Sequence, residues 1–304
     1  MEVQYIKDYR HINSSVEKLS LVLGYFDGLH IGHEQLINFA KFNSKGPVGV
    51  ITFDRPLKSI EGCLTSLEQK IDRLRELKID YVYVIVASDD FRHMSYIDFI
   101  SKVLKKLNPV TLYCGNDFTF GYEAKGDVND LKMAFSDVKV VSYVNDFNHK
   151  KISSSNIKKL IKSGDVKEAS VFLGRPYSLR GTIGRGFQEG TKLGTPTANI
   201  ALPVDYIIPK DGVYITKTKV DKRTYRSVTN IGTHPTVNQI EKPIIETYII
   251  GLNRNIYGKD ITIYFYNRLR DEVKFESVEK LEEQIKKDVD STNRFFTKLW
   301  RNTK

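Results

Sequence analysis

Cysteines and long apolar runs are scarce in this chain of 304 residues, and the sequence has no internal repeat. The two cysteines, Cys63 and Cys114, lie in unrelated contexts without C-x-x-C or zinc-ligand spacing, which indicates a reducing compartment. No apolar run approaches the roughly 18 to 20 residues of a membrane span. The N-terminal segment MEVQYIKDYRHINSS also lacks the apolar part of a signal peptide. We therefore expect a cytoplasmic protein with no membrane partner.

The formal net charge of +10 is compatible with nucleic acid, an acidic membrane surface or small polyanionic substrates as partners. The lysines are dispersed, however, and their densest groups fit solvated helix faces. Neither RNP-type nor zinc-finger motifs occur, so no nucleic-acid partner is expected. With 40% hydrophobic residues, the chain is long enough for two domains with separate cores.

The segment LSLVLGYFDGLHIGHEQLI at positions 19–37 predicts a phosphate-binding turn. Its apolar start is typical of a strand in a parallel sheet, and apolar residues recur at helical spacing after His33. Two glycines allow a tight turn between them, and Gly32 leaves room for a polyphosphate beside the backbone. The amides of the first helical turn attract anions, and His30 and His33 can donate hydrogen bonds to phosphoryl oxygens. The alternative is that two histidines lie near a loop by chance, one as a helix cap and one exposed.

The first part of the chain alternates apolar strands with helical segments, which predicts a doubly wound parallel sheet. The predicted strands are Leu19–Tyr25, Val48–Phe53, Tyr81–Val86, Val110–Cys114 and Val138–Val144, and the predicted helices include Leu67–Leu77, Tyr96–Leu107, Ser154–Lys162 and Val166–Leu173. Ligands of such sheets bind beyond the carboxyl ends of the strands, where the turn with His30 also falls.

After residue 175 the sequence is rich in predicted strands, which favours a small closed barrel. The strands are expected at Tyr177–Ile183, Gly212–Val220, Tyr225–Ile231, Ile244–Gly251 and Ile261–Tyr266, with a hairpin turn at Asp221 and Lys222. Two helices, 278–289 and 292–300, are expected to follow. The expected fold is therefore an α/β protein with a Rossmann-like doubly wound sheet in residues 1–174 and a small antiparallel β-barrel with C-terminal helices in residues 175–304.

A second phosphate-handling segment is RGTIGRGFQEGTKLGTPTANI at positions 180–200. Its glycines would make a flexible segment beside the phosphates, although glycines between strands often only mark turns. Thr197 and Asn199 point to the same side if the segment is extended, and their oxygens suit magnesium that carries nucleotide phosphates. The alternative is a Pro-Thr turn capped by Asn199.

Glu246 interrupts the apolar segment PIIETYIIGL, which predicts a strand. In a strand it shares its face with Ile244, Tyr248 and Ile250, and burial beside them would favour its protonated form. A carboxylate in this position could accept a proton from a substrate hydroxyl. The alternative is a glutamate on a solvated edge strand.

Taken together, these segments resemble the bacterial bifunctional riboflavin kinase and FMN adenylyltransferase family, also called FAD synthetase, over nearly the whole chain. In the first part, the motifs of the resemblance are GYFDGLHIGH at 24–33, ITF at 51–53, GNDFTFG at 115–121 and KISSS at 151–155. In the second part, they are LGRPY at 173–177, LGTPTANI at 193–200, NIGTHPT at 230–236, ETYIIGLNRNIYGK at 246–259 and LRDEVKF at 269–275. Two independent motif sets in this order are hard to obtain by chance.

The resemblance implies a nucleotidyltransferase domain joined to a riboflavin kinase barrel. The kinase would transfer the γ-phosphoryl group of ATP to the ribityl 5′-hydroxyl of riboflavin, which gives FMN. The other domain would join FMN to the AMP part of a second ATP, which gives FAD and pyrophosphate. Riboflavin, FMN and ATP are the expected small-molecule partners, with Mg²⁺ as the cofactor.

The resemblance also implies roles for individual residues. Glu246 is expected to be the general base of the kinase, with Thr197 and Asn199 as magnesium ligands, while His30 and His33 are expected to catalyse adenylyl transfer. The expected ATP-binding residues are Gly24, Phe26, Asp27, Gly28, Gly32, Ser153, Ser154, Ser155, Lys158, Gly186, Lys192, Gly194 and Pro196. The expected flavin-binding residues are Asp117, Phe118, Arg270 and Glu272.

The chain departs from the family pattern at two places in its first part. Lys158 stands where arginine is usual, and lysine keeps the charge but loses the bidentate hydrogen bonding. Asp54, Arg55 and Pro56 occupy a segment that usually has a histidine between prolines. Arg55 could serve as an anion contact there, or the segment could have another role.

Two other functions stay open on the sequence. One is another nucleotidyltransferase with the H-x-G-H motif, acting on a pantetheine or nicotinate phosphate, although the G-T-P-T-A-N segment argues against it. The other is a riboflavin kinase whose degenerate adenylyltransferase domain is a flavin- or RNA-binding regulatory module. The basic charge and the altered segments favour that view.

Overall fold

A computed structural model of the protein describes residues 1–14, 16–56, 61–142, 152–184, 197–233 and 243–302, with only the backbone at Thr197, Thr233 and Asn302. Contacts within the chain divide it into two compact units, Met1–Ser154 and Ser155–Lys304, and each is described by itself. The domain boundary after residue 174 stays a prediction. In the described part of the chain, every helix is too short or too polar to cross a bilayer.

The first unit contains a six-stranded parallel sheet in the order β1-β4-β3-β2-β5-β6. The strands are β1 (Glu2–Ile6), β2 (Ser20–Leu23), β3 (Val48–Phe53), β4 (Tyr81–Ile85), β5 (Thr111–Gly115) and β6 (Val138–Val141). From β2 the chain first adds strands on one side, and then β5 joins the other side, so the boundary between β2 and β5 is a topological switch point. The predicted doubly wound sheet is confirmed, with β1 as an edge strand that the sequence did not predict.

Helices of the first unit cover both faces of this sheet. They are α1 (Ile31–Asn43), α2 (Leu67–Glu76), α3 (Asp89–Arg92), α4 (Tyr96–Asp98), α5 (Lys105–Leu107) and α6 (Val128–Ala134), and a π-helical segment, Phe99–Leu104, joins α4 to α5. Successive strand residues point to opposite faces. Val22 of β2 packs in one buried cluster with Ile37 of α1. Leu21 packs in the other with Val103 of the π-helical segment. The first unit therefore has two apolar cores, one on each face of its sheet.

The second unit contains a closed antiparallel barrel in the order β10-β11-β8-β7-β12-β9. Its strands are β7 (Tyr177–Gly184), β8 (Thr197–Ala201), β9 (Gly212–Val220), β10 (Arg223–Thr233), β11 (Pro243–Ile249) and β12 (Asp260–Arg270), and helices α7 (Ser154–Ser163) and α8 (Val166–Leu173) precede them. Val220 pairs with Arg223, so Asp221 and Lys222 form the predicted hairpin turn. The predicted barrel is confirmed.

The interior of the barrel holds a network of hydroxyl groups beside its apolar core. The fully buried residues that form it are Thr216 and Thr218 of β9, Ser227 and Thr229 of β10, and Thr247 of β11. Thr216 Oγ1 lies 2.8 Å from both Ser227 Oγ and Thr229 Oγ1. Thr229 Oγ1 then donates to Thr247 Oγ1 at 3.0 Å. Because Thr229 and Thr247 are cross-strand partners, this bond supports the register of β10 and β11.

A single helix, α9 (Val278–Asn302), follows the barrel. The prediction of two helices with a break near Ser291 is therefore wrong. Serine and threonine favour helix starts, but Thr292 is fully buried here. One turn later, the Phe296 ring packs edge-on against Tyr266 of β12 at a centroid distance of 4.9 Å. Packing against the barrel therefore stabilises a continuous helix across Ser291 and Thr292.

Candidate active sites

The turn after β2 is shaped by a close approach of Gly24 and Phe26. Phe26 has a φ of +57° and is 1% exposed. A Cβ atom added at Gly24 would lie 2.7 Å from Phe26 Cζ. A larger residue at position 24 would therefore force a buried ring to move.

Asp27 and Gly28 tie the same turn to the segment before α2. Asp27 Oδ1 accepts a hydrogen bond from the Leu64 N–H at 2.8 Å, and the Gly28 N–H donates to Thr65 Oγ1 at 3.1 Å. The φ of Gly28 is +79°, a conformation that favours glycine. Ser154 Oγ donates to the Asp27 carbonyl oxygen at 2.8 Å. These contacts hold the turn, and the ATP-binding roles of Asp27 and Gly28 stay predictions.

His30 and His33 form a stacked pair at the start of α1. His30 is the N-cap residue, and its Nδ1 accepts the His33 N–H at 3.3 Å. In the neutral ring the proton then resides on Nε2, which makes that atom a donor. The two imidazole rings are 3.6 Å apart between centroids with an interplanar angle of 16°. Phe26 packs edge-on against His33 at 5.1 Å, so the turn after β2 positions the pair.

A pocket of about 330 Å³ lies beyond the carboxyl ends of β2, β5 and β6. The residues with predicted catalytic, ATP-binding or flavin-binding roles that it brings together are Gly24, Phe26, His30, Gly32, His33, Asp117, Phe118, Ser153 and Ser154. Its position at the switch point is where doubly wound sheets bind ligands. The structure thus places residues from three separate motifs around one cavity.

Phe118 gives this pocket an aromatic wall. Its ring stacks on Phe120 with a centroid distance of 5.6 Å and an interplanar angle of 17°. Asp117 precedes it in the pocket lining. An aromatic wall beside a carboxylate suits a flat heterocycle that carries N–H groups. The flavin-binding roles of Asp117 and Phe118 stay predictions.

The predicted ATP contacts at Ser155 and Lys158 fall on α7 in the second unit. Ser155 is exposed and Lys158 is half-buried. Their roles at the nucleotide stay predictions.

The altered segment at Asp54 and Arg55 lies in the first unit. Asp54 Oδ1 accepts the Ala87 N–H at 2.8 Å, and Asp54 Oδ2 lies 3.6 Å from Arg55 Nε. Asp54 thus anchors the altered segment, while the Arg55 side chain is 60% exposed.

Glu246 lies in a row of polar residues across three strands of the barrel. It pairs with Asn199 of β8 on one side and with Asn230 of β10 on the other. Glu246 is half-buried, whereas its chain neighbours Ile245 and Thr247 are buried, so Glu246 belongs to the outward-facing set of β11. Cross-strand partners lie side by side, which places two carboxamides next to the carboxylate.

Asn230 is a site residue that the sequence did not single out. Its Nδ2 donates to Glu272 Oε1 at 2.8 Å, which joins a predicted flavin-binding residue to the row around Glu246. A Cβ atom added at Gly232 would lie only 2.3 Å from the same oxygen, so glycine makes room for Glu272. The motif NIGTHPT contains Asn230, but only the strand register places it beside Glu246.

Several predicted residues of the kinase lie outside the described residues or have their side chains outside them. Gly186, Lys192, Gly194 and Pro196 fall in the gap before β8. Thr197 opens β8 opposite Tyr248, and only its backbone is described.

Arg270, a predicted flavin-binding residue, forms an ion pair with the buried Asp288 of α9, at 2.8 Å between Nη2 and Oδ2. That pair anchors α9 to β12, and the flavin-binding role of Arg270 stays a prediction.

The donor atoms around Glu246 fit a hard cation such as Mg²⁺. Within the described part of the chain, Asn230 Oδ1 is buried and has no hydrogen-bond partner. Carboxamide and carboxylate oxygens are the atoms that Mg²⁺ prefers, usually together with substrate phosphates. No cluster of three or more His, Cys, Asp or Glu side chains able to hold a metal occurs among the described residues. The role of Mg²⁺ at this row stays a prediction.

Comparison with known proteins gives a separate model match for each part of the chain. A model described as FAD synthetase matches residues 12–156, and one described as riboflavin kinase matches residues 173–296. Two relatives named bifunctional riboflavin kinase/FMN adenylyltransferase, from Bacillus subtilis and Listeria monocytogenes, are each 35% identical to the chain. The first alignment covers 95% of this chain and 96% of the relative, and the second covers 92% and 93%.

Among the solved structures similar to this chain, one matches nearly its full length. It is described as a macrolide-efflux protein from Streptococcus pneumoniae, and it superposes with a TM-score of 0.87 at 31% identity over 96% of this chain and 98% of that chain. Its description concerns that protein, and the superposition supports the fold. The matches to both halves favour two enzymatic domains over a kinase with a degenerate regulatory module. The chain belongs to the bifunctional riboflavin kinase/FMN adenylyltransferase family.

Proposed function

We propose that the protein phosphorylates riboflavin to FMN and then adenylylates FMN to FAD, using one ATP in each step. The observation that supports this most directly is the presence of one polar constellation in each unit. The first unit has the switch-point pocket around His30, and the second has the row of Asn199, Glu246 and Asn230. A cytoplasmic location, with riboflavin, FMN and ATP as the partners, is part of the same proposal.

In the kinase step, Glu246 acts as the general base for the ribityl 5′-hydroxyl of riboflavin. A neutral alcohol is a weak nucleophile, so transfer of its proton to a carboxylate during attack on the γ-phosphorus lowers the barrier. ADP leaves as the bond between the hydroxyl oxygen and phosphorus forms. The carboxamides of Asn199 and Asn230 flank the base and can orient it or the alcohol, while Glu272 holds Asn230.

Mg²⁺ is proposed as the cofactor, with Thr197 and Asn199 as the residues that would hold it. Bound there, the ion would neutralise charge on the phosphates of ATP. The half-buried Glu246 is opposite Asn199 in the barrel, which would place the base near the phosphates of ATP. Removal of divalent cations with EDTA should therefore abolish FMN formation.

In the adenylyl-transfer step, the phosphate of FMN attacks the α-phosphorus of ATP and pyrophosphate leaves. This nucleophile is already largely ionised at neutral pH, so the site has to position two polyanions and stabilise the charge that develops. The Nε2–H of His30, the His33 ring and the amides at the start of α1 are the proposed donors. Gly32 lets the phosphates approach these amides.

Chromatography of a reaction with purified protein, riboflavin and Mg-ATP tests the proposal. FMN should appear first and FAD second, and FMN supplied without riboflavin should also give FAD. If neither product forms, both assignments are overturned. If FMN accumulates and FAD never appears, only the kinase assignment stands, and the regulatory alternative for the first unit returns.

A further inference from the structure

Lys70 of α2 is a buried lysine in the first unit that neither proposed reaction uses. It is only 2% exposed, although lysine is almost never buried without a specific partner. Its ammonium nitrogen donates to the Tyr25 carbonyl oxygen at 2.8 Å, to Thr52 Oγ1 at 3.0 Å and to the Phe53 carbonyl oxygen at 3.3 Å. It also lies 4.1 Å from the centre of the Tyr25 ring. All three hydrogen-bond acceptors are uncharged.

These acceptors lie at the ends of two neighbouring strands. Tyr25 follows β2, and Thr52 and Phe53 end β3. The Thr52 hydroxyl, which accepts from Lys70, itself donates to the Tyr25 carbonyl at 2.8 Å. The Tyr25 carbonyl is therefore held by two donors immediately before Phe26, the residue with positive φ that packs against His33. Tyr25 also lines the pocket.

Burial makes Lys70 an ammonium group that titrates near pH 8. Burial lowers the pKa of Lys70 from its ordinary value of 10.5 to about 8, against the opposing effect of Asp27, Cys63 and Asp54. The facing Tyr25 hydroxyl has its pKa raised, chiefly by burial. An apolar residue would fill this space without the penalty of burying a charge. An apolar residue would, however, lack the three directed hydrogen bonds that Lys70 makes to the ends of β2 and β3.

We propose that Lys70 is a positioning residue for adenylyl transfer: its ammonium group ties the end of β3 to the turn after β2 and so fixes Phe26 and the stacked pair of His30 and His33. This inference rests on the proposed function of the first unit and adds a residue outside the pocket to it. Because the histidines act mainly in the transition state, loss of Lys70 should lower kcat for FAD formation more than it raises KM for FMN.

Kinetics of the full-length Lys70→Met variant test the proposal, with riboflavin phosphorylation in the same preparation as an internal reference. We expect kcat for FAD formation from FMN and ATP to fall at least about ten-fold, KM for FMN to change less than about three-fold, and the kinase rate to stay the same. Lys41→Met is the matched control, because Lys41 Nζ donates to the Leu77 carbonyl oxygen away from the turn. It should leave both rates unchanged.

A pH profile separates positioning from a purely structural role. In the wild type, kcat for FAD formation should fall as pH rises through about 8, because Lys70 loses its proton there. In Lys70→Arg, which keeps its charge, this alkaline decline should move to higher pH. Cys63 is present in both proteins, so a decline that does not move would assign it to the thiol or another group and overturn the proposal.

Stability changes in the opposite direction over the same range. The pKa of Lys70 is lower in the folded protein than its ordinary value of 10.5, so between about pH 8 and 10.5 the unfolded chain binds more protons at this residue. The contribution of Lys70 to the free energy of unfolding, measured as wild type minus Lys70→Met, should therefore rise with pH while activity falls. Wild-type kcat in Lys70→Met would overturn the inference alone, whereas a wild type that makes no FAD would overturn the proposed function and the inference with it.

Discussion

Replacement of Gly24 by alanine should impair FAD formation through the Phe26 ring. The added Cβ atom would lie 2.7 Å from Cζ and 3.0 Å from Cε1 and Cε2, where ordinary contacts begin at 3.4 Å. The ring must therefore move by about 0.7 Å or more, because carbon atoms repel steeply below contact distance. Phe26 is 1% exposed and packs against His33, so the displacement reaches the imidazole pair.

The size of the effect follows from the cost of overpacking. Extra methyl groups in well-packed sites cost about 1 to 3 kcal/mol. If this energy is lost from the transition state of adenylyl transfer, kcat/KM falls by about five-fold to about 150-fold. Riboflavin phosphorylation should be unchanged, because Gly24 belongs to the first unit and Glu246 to the second.

Initial rates of FAD formation from FMN and ATP provide the assay, and a double-mutant cycle identifies the cause. Phe26→Leu removes the ring atoms that the new methyl group would meet. The Gly24→Ala change should therefore be milder in the Phe26→Leu background than in the wild type. Equal losses in both backgrounds, or wild-type efficiency in Gly24→Ala, would refute the steric explanation.

Three further substitutions probe the two sites and the barrel core. Glu246→Gln should lower kcat for FMN formation by about 10²- to 10⁴-fold, the usual contribution of a general base, while FAD formation from supplied FMN persists; loss of both rates would contradict this. His30→Asn keeps a helix-capping acceptor but removes the imidazole donor, so FAD formation should fall about 10²- to 10³-fold with normal FMN formation, and an unchanged FAD rate would rule out the donor role. Thr229→Val removes the hydroxyl that bonds to both Thr216 and Thr247, leaves Thr247 only its longer contact with Thr218, and should lower the free energy of unfolding in urea by about 1 to 3 kcal/mol; an unchanged midpoint would show that the network relaxes freely.

Local patterns in the sequence predicted most of the fold. Strands such as Val48–Phe53 and Gly212–Val220 are observed at their predicted bounds, because their apolar runs end at clear turn signals. The edge strand β1 was missed, since EVQYI is half polar and pairs only with β4. The continuous α9 was also missed, because burial of Thr292 and Phe296 overrides the local preference of serine and threonine for a helix start.

The sequence predicted some residues of the candidate sites and missed others, depending on whether local sequence fixes their positions. Residues within one motif, such as His30 and His33, could be placed together from the sequence, since a short turn and a helix start fix their separation. Asn230 could not, because its position beside Glu246 depends on the register of β10 and β11. Lys70 could not either, because one lysine within an amphipathic helix pattern gives no sign that it is buried.

The hydroxyl network inside the barrel has a consequence for how this fold can change over generations. In most of its links either oxygen can be the donor, so the protons can rearrange while the oxygen atoms keep their places. A single aliphatic replacement takes one hydrogen-bond partner from each neighbouring hydroxyl, whereas coordinated replacement of several members restores a dry interior. We expect substitutions at these interior positions to occur together in related barrels. Sets that keep the register of β10 and β11 would also keep Glu246 in its outward-facing position.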